Sequence, residues 1–180
     1  MKKTLIALVL VATLAAFSSI STDLPKSAWK KIEKEWSKQW PDLTIEKEEI
    51  NISDDVNREL AIKDLDYTLY QLSSNEKKIG YMMISKAPSR YDYFDYMVLY
   101  NLDLTIKSTK VLIYREDWGG EIASTRWLRQ FIGLSSKDQI LLDHDIQGIS
   151  GATISCRSAI MGVKKLTNIM RELNEKGLLD

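Results

Sequence analysis

The sequence contains only one cysteine, Cys156, and only one histidine, His144. A single cysteine excludes an intramolecular disulfide, and a zinc site of cysteine and histidine needs more ligands than these two residues supply. The 25 basic residues balance the 25 acidic residues, so the chain lacks the basic excess that is typical of nucleic-acid binding. Counting leaves a carboxylate site open, but we assign no metal and no nucleic-acid partner.

The chain begins with a short basic and apolar leader. Lys2 and Lys3 precede a continuous apolar run at residues 5–17, which small polar residues follow. The run is shorter than the roughly 20 residues that a membrane helix needs, and the pattern is typical of a secretory signal peptide. We therefore expect residues 1–21 to be a signal peptide that is cleaved near Ser21, with an uncleaved anchor as the alternative. The mature protein is then extracytoplasmic.

An N-terminal helical segment and linker is expected at residues 22–64, and a single domain at residues 65–180. Within the first segment, Trp29, Trp36 and Trp40 fall on one face of a short helix. This stripe predicts a helix that covers the core. A surface for a partner is the alternative interpretation.

Alternation of apolar and polar residues at residues 65–72, a hairpin turn after them and the apolar or tyrosine-rich runs that follow predict the strands of one sheet. The expected strands are residues 65–72, 79–85, 91–101 and 109–116. One helix is expected at residues 124–133, and an amphipathic helix begins at or just after Thr153. The fold class is therefore α+β, a small antiparallel sheet packed with helices in a single domain.

A loop rich in small residues, at residues 145–152, comes just ahead of the last helix. Free amide groups and the dipole at a helix start favour an anion there. The loop lacks the Gly-Lys-Ser/Thr ending of a P-loop. It nearly matches the Gly-x-Ser-x-Gly motif of hydrolases, but no histidine follows Ser150 to complete a triad. A plain helix start and phosphate capture, reversible or covalent through a hydroxyl, remain as interpretations.

Residues 150–155, Ser-Gly-Ala-Thr-Ile-Ser, match the Ser-Gly-Ala-Thr-x-Ser/Thr signature of the FMN-binding domain family. Over roughly residues 65–170 the chain resembles the standalone exported members of that family. Related domains occur in the flavin-carrying subunits of sodium-pumping quinone reductase and of the Rnf complex.

The resemblance implies that a dedicated flavin transferase moves FMN from FAD onto Thr153, forming a phosphoester. The cofactor-binding residues that it implies are Thr153, Ser150, Gly151, Ala152, Ile154 and Ser155 at the helix start, and Glu116, Gly119 and Gly120 at and after the end of the fourth strand. Trp118 is extra to the family pattern, and we expect it to stack on the flavin ring, with a surface or packing role as the alternative. Two positions depart from the family pattern. Gln147 stands where an acid is frequent, and Glu-Asp-Trp-Gly-Gly replaces the usual Glu-Thr-Pro-Gly.

These implications predict an electron-transfer flavoprotein of the periplasm or exported space, linked to membrane-associated respiration. Its expected partners are the transferase and a membrane-bound or extracytoplasmic redox protein, and we expect no enzyme activity with a substrate of its own. The alternative is a non-catalytic module that holds FMN or another ligand reversibly. A flavin reductase acting on a small molecule is a weaker third interpretation.

Overall fold

A five-stranded sheet forms the centre of the protein. The computed structural model describes residues 24–60 and 65–179, so the expected signal peptide lies outside the described residues. The strands lie in chain order and every neighbouring pair is antiparallel. They are β1 (Glu46–Glu49), β2 (Tyr67–Ser74), β3 (Lys77–Pro88), β4 (Tyr93–Tyr100) and β5 (Ile106–Ile113).

Both faces of this sheet are buried under apolar clusters, and neighbouring residues in a strand contribute to different clusters because they point to opposite sides. Met82, Ile84 and Met97 belong to one apolar cluster, whereas Met83 and Val98 belong to the other. A strand that is covered on both faces has no polar side. This explains the nearly continuous apolar run through β3 and β4.

Helix α1 (Lys26–Gln39) covers one face of the sheet. Trp36 is buried there, and the Trp29 ring lies edge-on to Tyr70 with 6.1 Å between ring centroids. The expected helix is confirmed, and its tryptophan stripe packs on the core. Glu35, which is also buried, accepts a hydrogen bond of 2.6 Å from the Ser108 hydroxyl.

Helix α4 (Thr153–Glu175) covers the other face, and it begins at the residue where the sequence predicted its start. Its inward side includes Cys156, Ile160 and Val163. At Gly162 a Cβ atom would lie 2.4 Å from the Tyr96 hydroxyl oxygen. The missing side chain therefore lets the helix approach the sheet closely.

Several elements differ from the sequence-based expectation. Strand β1 and helix α2 (Asp54–Glu59) were not predicted. Strand β5 begins at Ile106, earlier than expected, because that residue already pairs with Tyr100 across the preceding turn. The helix expected at residues 124–133 is a short α3 (Thr125–Leu128) between 3-10 turns at Gly120–Ala123 and Arg129–Phe131.

The α+β class with a small antiparallel sheet is confirmed. Across residues 24–60 and 65–179, no helix has both the length and the apolar character that a membrane span requires.

Candidate functional site

The start of α4 presents a hydroxyl next to unsatisfied backbone groups. Thr153 is exposed and is the first residue of the helix. Ala152 occupies the N-cap position, where no side chain caps the helix, and the first turn carries no acidic residue. Because the first amide groups of a helix have no intrahelical acceptor, those of α4 are available to an anion.

The loop leaves room in front of Thr153. Gly151 has a φ of +82°, a left-handed conformation that glycine adopts without strain, and no heavy atom lies within 4 Å of a Cβ placed on it. Ser150 and Ile154 are exposed on either side, whereas Ala152 is buried. A group attached to Thr153 would therefore meet open space and small side chains.

The segment that follows β5, residues 114–120, contacts the start of α4. The Tyr114 hydroxyl donates to the Trp118 carbonyl at 2.8 Å, and so accepts a hydrogen bond of 3.0 Å from Ser155 Oγ. Ser155 is only 4% exposed, so its hydroxyl is directed at Tyr114 in the interior. Burial raises the pKa of Tyr114, partly offset by the Ser155 hydrogen bond, and the phenol stays neutral at ordinary pH.

Gly119 brings the loop after β5 into contact with the α4 start. Its φ is +82°, and a Cβ atom on it would lie 2.7 Å from the Tyr114 hydroxyl oxygen and 3.8 Å from Ala152 Cβ. Gly120 lies over the Tyr114 ring, with its Cβ position 3.5 Å from Cδ1. Gly119 therefore allows a close approach that a side chain would block, whereas a Cβ atom at Gly120 would make only an ordinary van der Waals contact.

Trp118 stands on this anchored loop with its side chain directed outward. The indole is 84% exposed, although its backbone carbonyl is fixed by Tyr114. A large aromatic surface held on a fixed backbone is suited to stack on a planar ligand.

Glu116 is engaged by groups of the protein itself. Its Oε1 atom accepts hydrogen bonds from the Ser89 hydroxyl and from the backbone amides of Tyr91, at 2.7 Å, and Asp92, at 2.9 Å. The Ser89 hydroxyl, together with these amides, lowers the pKa of Glu116 below its usual value. The carboxylate thus ties the turn before β4 to the loop after β5.

The loop before α4 is held by side chains of α3 and of the turn that follows it. Trp127 Nε1 donates to the Gln147 carbonyl at 2.7 Å, and Gln130 Oε1 accepts from the Gln147 amide at 2.8 Å. Position 147, where the family often has an acid, is therefore fixed through its backbone. Its glutamine side chain is left on the exposed surface.

His144 and Asp145 lie on the outer part of this loop. The two side chains pair at 3.0 Å, and Asp145 also accepts the Leu141 amide at 2.9 Å, which lowers the pKa of its carboxyl group. His144 is exposed, as the sequence predicted for a loop residue. Cys156 is fully buried, and burial raises the pKa of its thiol.

A cavity of about 540 Å³ opens between α3 and residues 147–149 of the loop before α4, and we call it the α3 cavity. This volume is within the range of ligand-binding clefts. Its wall combines charged, amide and aromatic groups with the backbone that leads to Thr153. The wall includes Glu121, Ser124, Arg126, Trp127, Gln130 and residues 147–149.

The arrangement matches the needs of a ribityl phosphate that ends in a planar ring. Uncapped amides and an exposed hydroxyl at Thr153 suit the phosphate. The exposed Trp118 offers an aromatic surface that suits the ring. Tyr114 and Gln130 were missed by the sequence analysis. No motif marks either residue, because each acts through a contact with a distant segment.

Taken together, the fold and this helix start define an α+β domain that presents a hydroxyl for an anionic ligand beside a cavity. Residues 92–168 match the model of the FMN-binding domain family. The chain therefore carries an FMN-binding domain of that family. The match runs from the turn before β4 into α4 and includes Thr153, while β1 to β3 and α1 lie outside it. No curated protein matches the chain.

Proposed function

We propose that this protein is an extracytoplasmic electron carrier that holds FMN covalently on Thr153. The observation that carries the proposal is the exposed Thr153 at an uncapped helix start, inside the segment that matches the FMN-binding family. Reversible one- and two-electron chemistry is what FMN supplies when it is bound.

Attachment requires Thr153 Oγ1 to attack the FMN phosphorus of FAD on a separate transferase. The new bond joins Oγ1 to phosphorus, the bridging P–O bond of FAD breaks, and AMP leaves. The hydroxyl proton passes to a base of the transferase. The resulting phosphodiester keeps one negative charge, which the helix dipole and the free amides of the first turn stabilise.

Three groups in this chain then shape the site. Gly151 leaves the space that a transferase needs around Thr153. The contacts of Tyr114 with Trp118 and Ser155 keep the neighbouring loop against α4. Trp118 offers its indole to one face of the ring.

The sequence of the leader supports export of the protein. A tethered cofactor suits that location, because a dissociating one would be diluted outside the cell. Electrons would come from a reduced membrane-bound or extracytoplasmic redox protein and pass to an oxidised one. We therefore propose a relay rather than an enzyme. Steady turnover with a small soluble donor and acceptor would contradict this part of the proposal.

The first experiment measures the intact mass of the exported protein, with and without a co-expressed flavin transferase. We expect the wild type to gain the mass of FMN less one water only with the transferase, and the leader to be absent. Thr153→Val, which keeps the shape but lacks the hydroxyl, should gain nothing. The matched control is Thr125→Ala. Thr125 is an exposed threonine at the first position of α3, and its variant should load like the wild type.

A transferase that loads a known substrate but leaves this wild type unmodified would overturn covalent attachment. The α3 cavity would then favour the alternative of a module that binds FMN or another ligand reversibly. Equilibrium dialysis of the unmodified protein with FMN tests that alternative directly.

A further inference from the structure

Attachment of a phosphate to Thr153 does not involve the α3 cavity. The polar groups in the wall of this cavity are therefore available to contact another part of a ligand. Arg126 and Glu121 are both exposed and both contribute to this wall. Within the part of the chain that the structure describes, Arg126 forms no ion pair. Its guanidinium therefore offers free donors beside the cavity.

The rest of this wall is rigid. Gln130 Nε2 donates to the Trp127 carbonyl at 3.2 Å, while its Oε1 accepts the Gln147 amide. Trp127 is itself buried and stacks edge-on against Phe131 with 5.4 Å between ring centroids. A planar ligand would thus meet a wall in which Trp127 and Gln130 are held by contacts within the protein, while Arg126 is exposed beside them.

The cavity lies one turn of backbone away from the attachment residue. Gly148 and Ile149 form part of its wall, and the Ala152 amide donates to the Ile149 carbonyl at 3.1 Å, immediately before Thr153. The backbone that lines the cavity therefore leads through a single turn to the attachment residue. The five-carbon ribityl chain of FMN is long enough to cross such a turn.

Two polar groups near Thr153 are engaged within the protein. Glu116 Oε1 is engaged by Ser89 and two backbone amides, and Ser155 points inward to Tyr114. Arg157, one turn further along α4, is exposed and forms no ion pair within the described residues, but it does not contribute to the cavity wall. Trp118 offers an aromatic face. The guanidinium of Arg126 is the free cationic donor in the cavity wall.

We propose that the pyrimidine edge of the flavin ring lies in the α3 cavity, with the Arg126 guanidinium against its N1–C2=O side. This inference rests on the proposed function, because the tether at Thr153 brings the ring there. Reduced flavin carries more negative charge on that side than oxidised flavin does. Arg126 therefore stabilises the reduced form and raises the midpoint potential, which makes it a positioning and tuning residue.

The experiment compares Arg126→Gln, Arg126→Lys and Arg129→Gln in the loaded protein. Arg129 is an exposed arginine three residues further along that does not contribute to the cavity wall, so its variant removes the same charge nearby. Intact mass first confirms equal loading, and spectroelectrochemistry then gives the midpoint potential. We expect Arg126→Gln to disfavour reduction about tenfold, which is about 30 mV for a two-electron couple. Arg126→Lys should recover part of this shift, and Arg129→Gln should match the wild type.

A second measurement does not depend on the tether. Riboflavin, which has the ring but no phosphate, is titrated into the unloaded protein, and its fluorescence is followed. We expect saturable quenching of the riboflavin fluorescence. The dissociation constant should rise about tenfold in Arg126→Gln and should be unchanged in Arg129→Gln.

The outcomes separate the two proposals. Normal loading with equal potentials in Arg126→Gln and Arg129→Gln would overturn the placement of the ring and leave covalent attachment intact. Arg126-dependent riboflavin binding without any loading would overturn the covalent carrier and keep the cavity as the ring site. If the wild type neither gains the mass of FMN nor binds riboflavin, both the covalent attachment and the placement of the ring are overturned.

Discussion

Two helices within the described residues, α3 and α4, begin with a threonine, and their starts are stabilised in different ways. At α3, the Ser124 side chain accepts the Trp127 amide at 3.4 Å. At α4, Ala152 stands in the cap position and no side chain accepts an amide of the first turn. The longest helix of the described chain thus lacks the side-chain cap that a short helical turn has.

The start of α4 is supported from outside instead. Tyr114 joins Trp118 to Ser155, and Gly119 packs against Ala152. This support holds the position of the helix start without occupying its free amides. In α4, contacts from the neighbouring loop therefore take the place of the side-chain cap that α3 has.

A side chain at Gly119, which would disrupt the packing of this loop on α4, should cause the largest loss of stability. In Gly119→Ala the new methyl group meets the Tyr114 hydroxyl in a left-handed conformation, and we expect the free energy of unfolding to fall by about 2–4 kcal/mol. Gly133→Ala is the matched control, because its φ is +85° and nothing lies within 4 Å of its Cβ position. That variant should lose only about 1 kcal/mol. Urea unfolding of both variants measures the difference, and equal losses would show that the close packing at Gly119 contributes nothing.

Removing the Tyr114 hydroxyl should have a smaller effect. Tyr114→Phe keeps the ring but leaves the buried Ser155 hydroxyl and the Trp118 carbonyl without this partner. We expect a loss of about 1–2 kcal/mol in unfolding free energy and greater mobility of the Trp118 loop. Tyr91→Phe is the control, because that side chain is 80% exposed and its variant should lie within about 0.5 kcal/mol of the wild type.

The mobility of that loop has its own measurement. Acrylamide quenches the fluorescence of accessible tryptophans, and the substitution Trp118→Phe identifies the contribution of Trp118 to the signal. If Tyr114→Phe leaves both the stability and this quenching unchanged, the bridge to Ser155 does not support the start of α4.

The regular elements near the site were predictable because they repeat a local pattern. The apolar period of α4 locates its start at or just after Thr153, and the apolar runs of β3 and β4 between turn residues predict strands. Strand β1 has the sequence Glu-Lys-Glu-Glu, which carries no alternation. Its place comes from pairing with β2, a long-range contact that local sequence does not report.

The candidate site also combines features that local sequence predicts with features that depend on long-range contacts. The small residues at the start of α4 were identified from the sequence because their spacing is local. The contacts of Glu116 were not, because its partners Ser89 and Tyr91 lie far away along the chain. The α3 cavity also depends on how residues 147–149 pack against α3, and no sequence motif marks that packing.

The smallest effect is expected at the capped start of α3. Ser124→Ala removes the acceptor for the Trp127 amide, and loss of such a cap costs about 1 kcal/mol. Because Trp127 also holds the Gln147 carbonyl, the loop before α4 should keep its position, and loading of Thr153 should be unchanged. Urea unfolding and intact mass with the transferase measure the two quantities. A loss of loading as well as stability would mean that the two helix starts are coupled, and that the cap at α3 belongs to the same site as the open start of α4.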